Sequence, residues 1–331
     1  MNKRIMAVVI TLSLIAACWQ FVAAANAAPT FNRADYFITV LTGPTSGIYF
    51  PIGGGFFQVA NAIGYDASAT ATGASVANIN ALLQRNGEIA ISMVDSAVQA
   101  VEATHAFYGQ PPAADLRSVM GLWPNVVQIV TTSGSGIRTF EDMRGRRIGV
   151  GPPGSGVELN ARMMFAAHGM TYDDATVDFL SYGESIDQMR NGLVDAAFVT
   201  SGLGNETIME LGIDHTIVFV TVDGEPRRRL IEEYPFYIEF VIPADVYNTA
   251  ESTETVGLMN IMLTHADVPA HVIYDLMENF LSEEGLTTIH ATHAQALQHI
   301  RLENGLRGIT GISVPMHEGA IQFFRNRGMM E

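Results

Sequence analysis

Arg147-Ile148-Gly149-Val150-Gly151-Pro152-Pro153-Gly154-Ser155-Gly156 is the stretch that decides the architecture. Its first half is a short apolar run and predicts a strand over 147–151. Residues 157–168 follow with helical patterning, and Gly169 is placed to end that helix. A strand, a tight glycine turn and a helix make the repeating unit of an α/β protein. The same order occurs near the start, where 37–41 predicts a strand. Thr42-Gly43-Pro44-Thr45-Ser46-Gly47 forms its turn, and 51–63 predicts a helix despite Gly53-Gly54-Gly55.

The turn at 151–156 has a nucleotide-loop spacing without its chemistry. Val157 and Glu158 stand where a phosphate loop needs Lys and Ser or Thr. A glycine turn at a helix start still exposes backbone N–H groups at a positive helix end. Such a nest takes a small anion, for example a carboxylate, without lysine. The turn at 42–47 offers a second nest, and the two are placed to face each other.

Composition narrows the options further. Of 331 residues, 48% are hydrophobic and 16% charged, which excludes a disordered chain. Lys3 is the only lysine, which excludes Schiff-base chemistry in the body of the chain. The formal charge of −16 repels phosphate backbones, so no nucleic-acid partner is expected.

Residues 1–27 have the layout of a secretory signal peptide: Lys3 and Arg4, an apolar run, then Ala25 and Ala27 before a cut. Its removal takes away two cations and no acid, which moves the charge to −18. Ile15-Ala16-Ala17-Cys18 also resembles a lipobox, and lipid anchoring at Cys18 is the second reading. Cys18 is the only cysteine, so the rest of the chain has no disulfide or thiol chemistry.

Along the remaining chain, strands are expected at 65–72, 88–94, 116–122, 126–132, 176–180, 194–200, 216–220, 237–242 and 255–263. Ser75 is expected to cap a helix over 76–85, and Asp95 one over 96–105. Residues 28–126 with 239–331 read as one lobe, and 127–238 as a second lobe inserted into it. A cleft between lobes is the expected ligand site.

Other chemistries lack their patterns. His290 and His293 share a helix-like spacing but lack a zinc motif and read as a solvated pair. Arg227-Arg228-Arg229 reads as a solvated helix face. No Gly-x-Ser-x-Gly elbow is present. No catalytic residue, metal or cofactor is expected, and the protein reads as a non-enzyme.

The ordered motifs resemble a known family. Thr42-Gly43, Gly47-Ile48-Tyr49 and Pro51-Ile52-Gly53-Gly54 resemble the opening of TAXI proteins, the solute-binding subunits of one class of TRAP transporters. Thr72-Gly73-Ala74-Ser75-Val76-Ala77-Asn78, residues 145–156, Val194-Asp195-Ala196-Ala197-Phe198 and Tyr234-Pro235-Phe236-Tyr237 resemble further signatures. Residues 312–319 resemble the ending. Ala74, Val157 and Glu318 depart from the pattern.

The resemblance implies an α/β two-lobe periplasmic binding protein, type II-like, with parallel-rich sheets. It implies a small carboxylate ligand such as glutamate or 2-oxoglutarate, and TRAP permease subunits as partners. Combined with the turns, it places ligand contacts at Thr42, Ser46, Gly47 and Tyr49, with Ser75 and Asp95 nearby. Gly154, Ser155 and Gly156 would contribute from the second lobe, and Trp123 and Tyr182 would wall the cleft. Asp95 would alternatively receive the ammonium group of an amino acid. An ABC-transporter or sensor-kinase binding subunit is the alternative function.

Overall fold

The computed structural model describes residues 31–331. The signal-peptide and Cys18 expectations lie outside the described residues. Residues 31–36 belong to a separate short unit, and the fold below is that of residues 37–331.

Strand, turn and helix alternate as the glycine turns predict. In the first part, β1 (Phe37–Leu41) leads to α1 (Tyr49–Ala62) and β2 (Asp66–Thr70). Then come α2 (Ser75–Leu83), β3 (Ile89–Met93) and α3 (Val94–Glu102). The long strand β4 (Leu116–Thr132) follows.

The second part holds β5 (Arg147–Gly149), α4 (Gly156–Ala167), β6 (Thr176–Asp178) and α5 (Tyr182–Arg190). It continues with β7 (Ala196–Ser201), α6 (Glu206–Asp214), β8 (Ile217–Val220) and α7 (Gly224–Glu233). The return comprises β9 (Ile238–Ile242), α8 (Ala244–Tyr247) and β10 (Thr253–His265). Helices α9 (Ala270–Phe280), α10 (Glu283–His290), α11 (Ala294–His299) and α12 (Glu318–Asn326) end the chain.

The strands form a mixed sheet in the order β2-β1-β3-β10-β4-β7-β5-β6, with β8 beside β4 and β9 beside β10. The two outer groups, β2-β1-β3 and β7-β5-β6, are parallel. The centre is antiparallel, because β10 pairs in that sense with β3 and β4, and β4 with β7. This is a two-lobe α/β fold whose halves meet along β4. Residues 116–126 of β4 pair with β10, and residues 126–132 pair with β7 and β8.

Three local expectations are corrected. The strands expected at 116–122 and 126–132 are one strand. Pro124 has no N–H to give, and the register shift opposite it, between Met259 and Ile261, accommodates it. Ser75 starts α2 rather than capping it, and its Oγ accepts from Met93 N at 3.0 Å. Asp95 lies inside the first turn of α3 rather than ahead of it.

Each half has its own core. Ile52, Phe56 and Ile79 are fully buried in the first, where Phe56 meets Phe280 at 4.9 Å between ring centroids. Val130, Val199, Ile208 and Leu211 make the second. Each such side chain contributes roughly 1.5–3 kcal/mol on burial.

The histidine and arginine expectations are also revised. His290 Nε2 meets Ile300 O at 2.7 Å, and His293 Nδ1 accepts from Gln295 N at 3.0 Å, so both tie helix ends. Arg227 is mostly buried and reaches Glu254 at 3.3 Å, whereas Arg228 and Arg229 are exposed.

Candidate functional site

A narrow cavity of about 50 Å³ lies where the two halves meet. Five helices begin at its wall. Ile48 and Tyr49 mark the start of α1, Ala74 precedes α2, and Met93 precedes α3. From the other half, Ser155 and Val157 flank the start of α4, and Ser181 and Tyr182 that of α5.

The first turns of a helix leave N–H groups without intrahelical partners and carry partial positive charge. No side chain caps α1, α2 or α3 from the preceding residue. In contrast, Ser155 Oγ accepts from Glu158 N at 3.2 Å, and Ser181 forms a capping box with Glu184. The helix starts therefore bring partial positive charge to the cavity, and no charged side chain among the described residues lines it.

A second feature also points to a ligand. Thr200, at the end of β7, lines the cavity and is 1% exposed. Its Oγ1 is buried and has no hydrogen-bond partner. Its carbonyl is taken, accepting from Tyr182 OH at 2.7 Å and Asn125 Nδ2 at 3.3 Å. A buried unpaired hydroxyl costs about 1–3 kcal/mol, which a ligand oxygen would recover. Asn125 and Ser201 line the same wall.

The sequence-predicted residues divide into wall, backing and bridge. Ser46, Gly47, Tyr49, Ser155 and Tyr182 line the cavity. Tyr49 OH donates to Asn260 Oδ1 at 2.5 Å and lies 3.4 Å from Ser75 Oγ, and burial pushes both its phenol and that of Tyr182 far above the ordinary range.

Thr42 and Trp123 do not reach the cavity. Thr42 is fully buried, its Oγ1 donates to Thr70 O at 2.8 Å, and its methyl packs on Gly53, which has no room for a Cβ. Trp123 stands behind Tyr49, edge-on at 5.7 Å, and its Nε1 donates to Asn125 Oδ1. Ser75 is fully buried behind the wall.

Gly154 and Gly156 join the two halves rather than line the site. Gly154 has φ +74° and its carbonyl accepts from Ala77 N at 3.1 Å. Gly156 lies against Met93 and Ser75. Asp95 is fully buried and is held by Ser96 N at 2.6 Å and Asn160 Nδ2 at 2.6 Å. It is therefore not presented to a ligand ammonium group, which corrects that alternative. No group of metal-binding side chains occurs among the described residues.

Residues 40–328 match the family model described as the NMT1-like family. The chain belongs to the NMT1-like family. Its fold is similar to that of solved binding proteins. One is a binding protein component of an ABC phosphonate transporter from Pseudomonas aeruginosa, 13% identical with TM-score 0.50, covering 78% of each chain.

A Xanthomonas citri protein bound to ATP is 10% identical with TM-score 0.50, over 89% of this chain and 99% of that one. The alkanesulfonate-binding protein SsuA from Xanthomonas axonopodis pv. citri, bound to MOPS, is 13% identical with TM-score 0.47. It covers 91% of this chain and 96% of its own. No helix among the described residues is long and apolar enough to cross a membrane.

Proposed function

We propose that this protein is a periplasmic solute receptor that closes two lobes, 28–126 with 239–331 and 127–238, over a small carboxylate. The unpartnered Thr200 Oγ1 in a cavity ringed by five helix starts carries this reading. Uncapped N–H groups of α1 and α2 would hold the carboxylate oxygens. Thr200 would donate to the ligand, and Tyr49, Val157 and Met93 would exclude water. No step of bond making is involved, so the protein acts by binding and release.

The lining holds no carboxylate for an ammonium group, which favours carboxylates without one. A buried water needs about 10–15 Å³ on this scale, so the closed cavity suits a ligand of few heavy atoms. Glutamate or 2-oxoglutarate would require a wider closure.

The motif resemblance supports delivery to a TRAP permease driven by an ion gradient. The ABC-type relatives of the same fold keep an ABC importer as the second reading, and the type of permease gene beside this one discriminates the two. The ligand test is a thermal-shift screen of protein stripped of solute by refolding. The panel holds pyruvate, glutamate, 2-oxoglutarate, C4 dicarboxylates, neutral amino acids, taurine and sugars. Saturation at 100 times Kd adds about 2.7 kcal/mol. A response confined to carboxylates is expected, and a response to sugars alone would overturn the anion reading.

A further inference from the structure

We propose that lobe closure carries a proton into the protein, bound at the Asp95 carboxylate, so that solute capture and proton uptake are coupled. This rests on the receptor reading only in taking the described arrangement as the closed one.

The geometry places Asp95 on the seam between lobes. It sits in the first turn of α3, on one side, and is fully buried. Its Oδ2 accepts from Asn160 Nδ2 on α4, on the other side. The same amide nitrogen lies 2.8 Å from Tyr237 OH, where the chain returns toward β9. Gln99, one turn further along α3, reaches Met163 Sδ of α4 at 3.4 Å.

Two acceptors of this cluster lack a donor. Asn160 Oδ1 and Gln99 Oε1 are both buried without a partner. Among the described residues, no cation hydrogen-bonds or ion-pairs with Asp95. A protonated Asp95 has an acceptor within reach: with the Asn160 amide turned over, its Oδ1 accepts from the carboxylic acid and from Tyr237 OH.

The neighbouring elements offer no substitute charge. Tyr49 and Tyr237 are the phenols that face Asp95, and burial keeps both protonated. On α4, Arg162 is paired with Glu158 at 2.6 Å. Glu254 and His265 lie at the ends of β10, and Glu254 reaches Arg227. His105, just past α3, meets Tyr234 Oη at 3.3 Å across the same seam.

Burial pushes the Asp95 carboxyl up to about 7, from the ordinary 3.8. Opening the seam returns it to water and to the ordinary value. The closed form therefore binds the proton more tightly. Its advantage is complete below the open-state value and is lost as pH rises through the closed-state value. Between pH 8 and pH 5 the closed-to-open ratio should rise between about tenfold and a hundredfold.

The test uses the protein without its leader, which has no cysteine, labelled with spin probes at Met209→Cys and Glu284→Cys. Electron–electron distance distributions are recorded at pH 5 and pH 8 in solute-free protein. The wild-type sequence should shift to the shorter distance at pH 5, and Asp95→Asn should show one distribution at both values. His105→Gln should retain the shift.

Equal wild-type distributions at both pH values would overturn the proposal without recourse to any variant at Asp95. So would a shift that persists undiminished in Asp95→Asn. Failure of the carboxylate screen with an intact Asp95-dependent shift removes the receptor reading alone. A carboxylate response without the shift removes the proton coupling alone.

Discussion

Replacing Gly156 by alanine separates closure from folding. Gly156 is the first residue of α4, and its α-carbon faces the other lobe. An added Cβ would lie 2.5 Å from Met93 Cε, 2.9 Å from Ser75 Oγ and 3.1 Å from Ser75 Cβ. The Met93 methyl can swing away. Ser75 cannot do so cheaply, because its Oγ is held by Met93 N and the residue is fully buried. Overpacking of this kind costs about 1–3 kcal/mol. The cost falls on the closed form alone, since each lobe keeps its own contacts. Alanine also favours the helix over glycine by up to about 1 kcal/mol, less at a first turn. The two effects have opposite signs in two assays. Calorimetric Kd for the carboxylate that answers the screen should weaken by about 5- to 150-fold. The melting temperature of ligand-free protein should hold or rise. An unchanged Kd would refute the claim that this contact forms on closing. A fall in ligand-free stability equal to the loss in affinity would show one rigid body without hinged lobes.

Thr200→Val keeps the shape and deletes the unpartnered hydroxyl. Carboxylate binding should weaken by about 1.5–3 kcal/mol while ligand-free stability holds or improves, as calorimetry and thermal melts would show. Gly121→Ala would drive a Cβ into the Arg307 carbonyl and within 3.0 Å of the Asn304 carbonyl. Backbone cannot yield as a side chain does, so urea denaturation should show a loss of at least about 1–3 kcal/mol. His317 Nδ1 accepts from Gly319 N and Nε2 meets Val268 O, an arrangement that needs the neutral ring. Burial holds its pKa below the ordinary value. Its contribution is thus present above about pH 6.5 and is lost as pH falls through the lowered value. Urea midpoints for the native chain should drop on acidification by more than those of His317→Asn.

The parts of the site carried by local chain geometry were legible, and those carried by packing depth were not. Glycine turns at 42–47 and 151–156 announce helix starts, and both reach the cavity through Ser46, Gly47 and Ser155. Thr42 belongs to the same turn but closes it inward onto Thr70, a choice of direction that residue type does not record. Trp123 has the size of a cleft wall, yet Tyr49 stands in front of it. Asn125 was hidden by treating 123–125 as a break between strands. Thr200 was passed over although it lies just before the C-terminal end of a strand in a parallel group, where α/β sites form. The mixed centre of the sheet was not legible either. Its antiparallel sense is set by β10, which returns from the far end of the chain.

The distribution of caps connects these levels. Helices α4 and α5 satisfy their starts with Ser155 and Ser181 before any ligand arrives. Helices α1, α2 and α3 do not do so with a preceding side chain. In α3 the Asp95 carboxylate takes the Ser96 N–H, and in α2 the Gly154 carbonyl takes that of Ala77, so first-turn N–H groups are partly satisfied on both sides of the cavity. On the proposed closure, the second lobe would add Tyr182, Val157 and the Thr200 hydroxyl as the seam shuts. On the proposed function, an anion would offset the repulsion between these positive helix ends, since no charged side chain among the described residues lines the cavity. With Asp95 ionised, ligand-free protein should accordingly favour the open form. In the proposed mechanism the ligand would supply the differential free energy for closure that any population shift requires.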